Sequence, residues 1–307
     1  MTVERCFSFP WEVALTEWLQ AHMGPAAVTA ASLLSLLGEP LAVVAIVGFL
    51  YWCADKEFGK SVGVSLAAAV VLNCMTKNLV LRRRPYFDHT GIRCLKPVES
   101  GADIYDLRAQ GYSFPSGHSS TAAAAYPSVA LGRPRRWLTT VAVLLPLLVG
   151  LSRVCLGVHY PTDVLAGWAL GLLAAFGLGR LQRRTKRKWA LYLVLILAAL
   201  PGWCFCRSDD YYSGFGLMLG ILASILFEER FVRFANTRRP LRALARLAGG
   251  LGLFWAVSTA CKLPFSAAFL SGGSLPAHLV RAGRYAVSAF AVMGLYPMLF
   301  RYTDRLR

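Results

Sequence analysis

Charge is scarce in this chain. Asp, Glu, Lys and Arg make up 16% of its 307 residues, against about a quarter in ordinary soluble domains. Acidic residues are rarer still, 16 against 33 basic, which leaves a formal charge of +17. With 56% hydrophobic residues and a mean hydropathy of +0.49, the shortage of charge excludes a soluble globular domain and implies a polytopic membrane protein. Met1 to Trp11, with Glu4 beside Arg5, lacks the basic, apolar, small-residue order of a cleavable signal, so the first helix is expected to act as the targeting signal. The eight Cys are scattered. Their one close pair, Cys204-x-Cys206, is too tight for a zinc ribbon and lacks the two-residue spacer of a thioredoxin-type motif, which favours a structural role. No repeat points to an inverted-repeat transporter. Nucleic acid is not expected as a partner, because the basic residues sit between apolar runs rather than among aromatics on a soluble face.

What is present is greasy helix. Apolar runs extend over Gly24 to Tyr51, Ser61 to Leu81, Ser119 to Leu131, Trp137 to Leu151, Val164 to Leu178, Trp189 to Cys206, Tyr211 to Phe227, Leu247 to Cys261 and Tyr285 to Phe300. Several approach the ~20 residues that a bilayer core requires of a helix, so an all-α transmembrane bundle is expected. Trp11 to Met23 reads as amphipathic, with Glu12, Glu17 and Gln20 among Trp11, Leu15 and Trp18, and suits the membrane interface or the start of the first span. Gly38-Glu39-Pro40 divides the next run into two helices, the first ending near Leu37 and the second near Trp52.

Basic clusters lie at Lys56 to Lys60, Arg133-Pro134-Arg135-Arg136, Arg183 to Lys188, Arg230 to Arg246 and the Arg301 to Arg307 tail. Followed through the helices they share one side, the cytoplasmic one. The polar motifs fall on the other, facing a periplasm, the cell exterior or an organelle lumen.

Three segments concentrate chemistry. In the first, Lys77 and Arg84 stand seven positions apart, about two turns, so a continuous helix ended by Pro85 presents both on one face. Arg84 brings a donor fork and Lys77 a point charge for phosphate oxygens, while Arg82 and Arg83 read as an interfacial snorkelling cluster. In the second, Pro115-Ser116-Gly117-His118, Ser116 and the Gly117 amide open a helix whose N-terminal amides favour an anion, and His118 suits a general acid. Alone this is only a Ser cap. In the third, Ser152-Arg153 leads through His159 to Asp163, four residues on, where a carboxylate fixes the imidazole tautomer and makes the other nitrogen nucleophilic. The long polar interval from Arg82 to Ser113 between the first two reads as a functional loop.

Together these segments resemble the signature of the type 2 phosphatidic acid phosphatase superfamily, which includes glucose-6-phosphatase-like enzymes and vanadium haloperoxidases. Lys77 with Arg84-Pro85, Pro115 to His118, and Ser152-Arg153 with His159 and Asp163 match its three motifs without departure. The resemblance implies a metal-independent, cofactor-free phosphatase. In it His159 attacks phosphorus, Asp163 orients His159, and His118 protonates the leaving oxygen and then activates water. Lys77, Arg84, Ser116, Gly117 and Arg153 would hold the phosphoryl group. It also implies a six-helix core, here residues 1–182 with the amphipathic segment; the three or four further membrane helices in 183–307 lie outside it and, carrying no second catalytic constellation, read as packing or homo-oligomer contacts. A lipid phosphate or diphosphate is the expected substrate: phosphatidate, polyprenyl diphosphate or a sphingoid phosphate. The alternatives are phosphotransfer to an alcohol, a soluble sugar phosphate, or a non-enzymatic transporter or lipid-binding relic.

Overall fold

The computed structural model describes residues 7–132, 135–300 and 302. Glu4 and Arg5, the Arg133-Pro134 half of one basic cluster and, Tyr302 apart, the basic tail lie outside the described residues. Those described are helical, without an extended sheet. In order they form α1 (Pro10–Ala21), α2 (Pro25–Leu36), α3 (Pro40–Phe49, prolonged by a π turn to Ala54), α4 (Lys56–Val80), α5 (Pro85–Asp88), α6 (Leu107–Gln110), α7 (Gly117–Gly132) and α8 (Arg136–Cys155). There follow α9 (Pro161–Leu172, then a π stretch to Leu178), α10 (Gly179–Arg184), α11 (Lys188–Ala199), α12 (Gly202–Phe205), α13 (Asp209–Phe227), α14 (Pro240–Ala260), α15 (Ala267–Ser271) and α16 (Leu275–Phe290).

Five stretches among the described residues are long and apolar enough to cross a bilayer: Lys56–Val80, Arg136–Cys155, Pro161–Arg184, Lys188–Phe205 and Pro240–Ala260. A sixth arises if α2 and the segment Pro40–Ala54, bent by 44°, count as one span. The bend falls at Gly38-Glu39-Pro40, where Pro40 opens a new helix because it lacks the N–H to continue the old one.

Two compact units share the chain. One comprises residues 1–43 and 72–178, the other 44–71 and 179–307, so α3 and α4 each pass from one into the other. In the first unit, α9 lies directly on α7. A Cβ on Gly167 would stand 2.6 Å from the Ser116 carbonyl oxygen, and one on Gly171 would press still harder on that of Ser120. These two glycines, four apart on one face, let the backbones touch. On the other side of α9, Trp168 donates its indole N–H to the Pro146 carbonyl of α8 at 3.0 Å, in space that Gly150 leaves free.

The second unit repeats the device. Cβ atoms on Gly216 and Gly220 of α13 would collide with the carbonyl oxygens of Ala282 and Ala286 on α16. At one end of this unit Glu228, fully buried, accepts ion pairs from Lys56 at 2.8 Å and Lys60 at 2.7 Å. There the basic residues read as a cytoplasmic cluster are paired with carboxylates.

Candidate active site

The three motifs meet in the first unit, although not along the path that spacing suggests. Helix α4 carries Lys77 but ends at Val80, and Leu81 adopts a left-handed conformation, φ +55°. Arg84 is therefore extended, not helical, and Pro85 starts the short α5 rather than stopping α4. The turn still delivers Arg84 to the site, only 3% exposed. Its Nε donates to the carbonyls of Gln110 and Gly111 at 2.9 and 3.0 Å, and Nη1 to that of Val158 at 2.8 Å.

His159 lies in the turn between α8 and α9, which Gly157 makes feasible with φ +72°. It is 2% exposed, and its Nε2 lies 3.4 Å from Arg84 Nη1. A guanidinium can only donate, so this geometry assigns the lone pair to Nε2 and the proton to Nδ1. Nδ1 faces Ser113 Oγ at 3.5 Å and Asp163 Oδ2 at 3.6 Å. Burial first, then the positive charges of Arg84, Arg153 and Lys77, hold the pKa of His159 well below the ordinary imidazole range. The imidazole is thus kept neutral, with a lone pair available.

Asp163 occupies the third position of α9, after Pro161 at the first, and accepts the N–H of the capping residue Tyr160 at 2.7 Å. Ser113 Oγ donates to the same carboxylate oxygen. The other oxygen, Oδ1, accepts from Arg82 Nη1 at 2.7 Å.

Arg82 does not snorkel. It is fully buried, sandwiched by the rings of Tyr160 at 3.8 Å and Phe7 at 4.6 Å, and its Nη2 holds Glu12 of α1 at 2.7 Å. Glu12 in turn accepts from the Thr162 amide and hydroxyl at 3.0 and 2.5 Å. About two turns further along α1, Gln20 brackets the turn before His159, donating to the Arg93 and Cys155 carbonyls at 2.9 and 3.2 Å. Only Arg83 of the triplet is partly exposed, paired with Asp88. The snorkelling assignment therefore fails for Arg82, because two carboxylates and two rings offer it more than the interface does.

Ser116 caps α7: its Oγ accepts from Ser119 Oγ at 2.9 Å, and its amide donates to the Asp163 carbonyl at 2.9 Å. Gly117 and His118 follow in the first turn, where backbone N–H groups have no partner within the helix. Asn73, one turn before Lys77 on α4, supports this segment by donating to the Pro115 carbonyl at 3.5 Å. His118 packs against Gly38 at the α2–α3 break and feels the charges of Arg153, His159, Arg84 and Lys77. Arg153 on α8 is 2% exposed. Its Nη1 reaches Ser35 Oγ at 2.5 Å, while its Nε has no hydrogen-bond partner.

All eight expected residues, Lys77, Arg84, Ser116, Gly117, His118, Arg153, His159 and Asp163, thus belong to one unit. Asp163, Arg84, Arg153 and Lys77 gather around His159 or His118 by contact or by charge. The motifs missed the support behind them: Glu12, Gln20, Arg82, Ser113 and Thr162. One signal was available, since Glu12, Thr16 and Gln20 recur every four residues and mark a polar line along one face of α1.

Chemically, the arrangement presents a neutral, oriented imidazole lone pair beside a guanidinium, with a second imidazole at a helix start. That set suits attack on an anionic, tetrahedral centre.

Residues 58–188 match the PAP2 superfamily, and residues 212–305 match its phosphatase transmembrane extension. Among characterised proteins, phosphatidylglycerophosphatase B of Bacillus subtilis is 42% identical over 90 residues, covering 26% of this chain and 44% of that protein. Undecaprenyl-diphosphatase of Sulfolobus acidocaldarius is 30% identical over 121 residues, covering 39% and 53%. The lipid A 1-phosphatase of Rhizobium etli is 36% identical over 115 residues, covering 36% and 46%. The chain thus spans about half the length of these relatives. A crystal structure of a transmembrane PAP2 type phosphatidylglycerolphosphate phosphatase from Bacillus subtilis aligns with a TM-score of 0.45 at 28% identity, over 58% of this chain and 87% of that one.

Proposed function

We propose, on the premise that this integral membrane chain belongs to the PAP2 superfamily, that it hydrolyses the phosphomonoester or diphosphate of a lipid through a phosphohistidine on His159. The observation that carries the reading is the pairing at His159: Nδ1 backed by Asp163 and Ser113, Nε2 facing Arg84. Relatives with lipid phosphate or diphosphate substrates in their names support the substrate class.

In the proposed cycle Nε2 attacks phosphorus and the bond from phosphorus to the leaving oxygen breaks. His118 gives that oxygen its proton. Water, deprotonated by His118, then attacks the phosphohistidine. The N–P bond breaks, inorganic phosphate leaves, and neutral His159 returns. Lys77, Arg84 and Arg153, with the Ser116 and Gly117 end of α7, hold the phosphoryl oxygens, and their charge is what makes the reaction independent of a metal. The catalytic groups fall within residues 1–182, with 183–307 as an extension. The basic connectors support an outward-facing site.

The test is phosphate release in detergent and EDTA from phosphatidic acid, a polyprenyl diphosphate, sphingosine phosphate and glucose 6-phosphate, each beside His159→Ala. Release from a lipid, reduced at least ~10³-fold in the variant, is expected. Near-normal turnover by His159→Ala would refute the nucleophile. Hydrolysis of glucose 6-phosphate alone would transfer the assignment to soluble sugar phosphates, and silence on all four would reject hydrolysis in favour of transfer or binding.

A further inference from the structure

The second unit contains a buried cation without a counter-charge. Arg284 lies about two and a half turns into α16 and is 8% exposed. Among the described residues no ion pair reaches its guanidinium, and its Nε has no hydrogen-bond partner. A favourable neighbour is the face of Tyr285, with Cζ 4.7 Å from the ring centroid. Four residues deeper, Ser288 is fully buried and its hydroxyl is likewise unpartnered. At ~100° per residue, Arg281, Arg284 and Ser288 fall within an arc of ~60° on one side of α16.

Carboxylates nearby are already engaged. Asp209 accepts from Arg281 at 2.6 Å and stands 3.7 Å from His278, at the opposite end of the stripe from Ser288. Glu228 and Glu229 lie beyond the other end of α13 and are paired with Lys56 and Lys188. An unpaired charge held away from water is costly, and in membrane helices such a group marks a ligand site. Here the unfilled donors are the Arg284 Nε and the Ser288 hydroxyl one turn below it, with Arg281, paired to Asp209, one turn above. Arg281 and Arg284 line a small cleft with Leu270 of α15 and Val280. Val287, ~60° round the same helix from Arg284, is exposed and offers apolar surface suited to an acyl chain.

We infer that Arg284, with Arg281 and Ser288, binds the phosphate of an anionic membrane lipid in the extension, at a site whose chemistry is recognition rather than turnover. Guanidinium forks match phosphate oxygens, and the exposed apolar flank favours a lipid over free phosphate. The proposal uses none of the catalytic residues and stands independently of the reading given above.

The test follows the thermal midpoint of detergent-purified protein during titration with dihexanoyl phosphatidylglycerol, dihexanoyl phosphatidylcholine or inorganic phosphate. Wild type, Arg284→Met and Ser288→Ala are compared. The phosphatidylglycerol is expected to raise the wild-type midpoint in a saturable way, with phosphatidylcholine ineffective and any rise caused by inorganic phosphate at the catalytic site equal in wild type and Arg284→Met. Arg284→Met, an apolar replacement, is expected to fold with an unliganded midpoint equal to or above that of wild type, and to bind phosphatidylglycerol at least ~10-fold more weakly. Ser288→Ala removes an unpartnered hydroxyl and is expected to keep the fold while weakening binding ~3-fold, so the site stays testable if Arg284→Met does not fold. A lipid response that persists undiminished in the variants would make these residues purely structural and overturn the inference, whatever their unliganded midpoints. A response to inorganic phosphate that equals that to phosphatidylglycerol and is lost in Arg284→Met would overturn the lipid assignment, and no wild-type response to phosphatidylglycerol would overturn the site.

Discussion

Arg82 is the residue on which the site's support converges, because it joins Glu12 of α1 to the Asp163 that backs His159. Removing it would leave two buried carboxylates uncompensated, at a cost of about 3–5 kcal/mol. Arg82→Met is therefore expected to lower the thermal midpoint and abolish activity together. Glu12→Gln is gentler: it keeps the shape and removes one charge. Its kcat is expected to fall ~10-fold with KM little changed, and Glu12→Asp is expected to restore part of the loss. A Glu12→Gln enzyme with unchanged kcat would show that α1 holds the site only by packing.

At the same scale, the depressed pKa of His159 has a signed consequence. The proposed nucleophile, which protonates only below the ordinary imidazole pKa of ~6.5, keeps its lone pair as pH falls through that value. The acid limb of kcat/KM due to His159 is therefore expected below pH ~6.5. Burial is the largest cause of the depression and Arg84 the next, so Arg84→Gln is expected to move the limb upward as well as lowering the rate. A limb that stays in place would separate His159 from it. The eight candidate residues could be picked out because each motif packs its chemistry into a few positions. Arg82 was not, because the same cation beside Arg83 and Arg84 suits either a lipid surface or a buried carboxylate, and only the fold brings Glu12 to it.

Among the elements, the break at Gly38-Glu39-Pro40 could be read directly, since proline leaves few options for a helix. The end of α4 could not. Nothing in the apolar run announces that Leu81 turns left-handed, and a continuous helix to Arg84 looked equally sound. The polar line of α1 lay in plain sight but pointed the other way: Glu12, Thr16 and Gln20 are buried while Trp11 and Trp18 are exposed. Water is not the only partner a polar face can find. The contact of α7 with α9 is governed by Gly167 and Gly171. Gly171→Ala would press a methyl group against the Ser120 carbonyl, at a cost of about 1–3 kcal/mol. Because Ser116 N–H bonds to the Asp163 carbonyl across the same contact, activity is expected to fall along with the thermal midpoint. Unchanged activity at a lowered midpoint would uncouple the contact from the site.

At the scale of the molecule, composition alone identified a helical membrane protein, because scarce charge and long apolar runs leave few other solutions. How the chain is shared between two compact units was not legible. The path of α3 and α4 from one unit into the other depends on long-range packing that hydropathy does not record. The basic residues near Lys56 illustrate the same limit: sequence shows their sign, whereas their carboxylate partners, Glu228 and Glu229, are 172 and 169 residues away from Lys56 and Lys60.

The link from Glu12 through Arg82 to Asp163 also sets the valence of the site. Lys77, Arg82, Arg84 and Arg153 face two carboxylates, leaving an excess of two positive charges beside the proton that His118 carries into the proposed reaction. A phosphomonoester dianion neutralises that excess, whereas a phosphodiester headgroup carries one negative charge and leaves half of it unmet. Competitive inhibition by inorganic phosphate is therefore expected, with little inhibition by an excess of phosphatidylglycerol. Strong inhibition by the diester would show that charge balance does not select the occupant. A bilayer is built almost wholly of diesters, so an enzyme immersed in it meets its own solvent far more often than its substrate. Arg82, by cancelling part of its neighbours' charge, helps make the two distinguishable before any lipid chain is read.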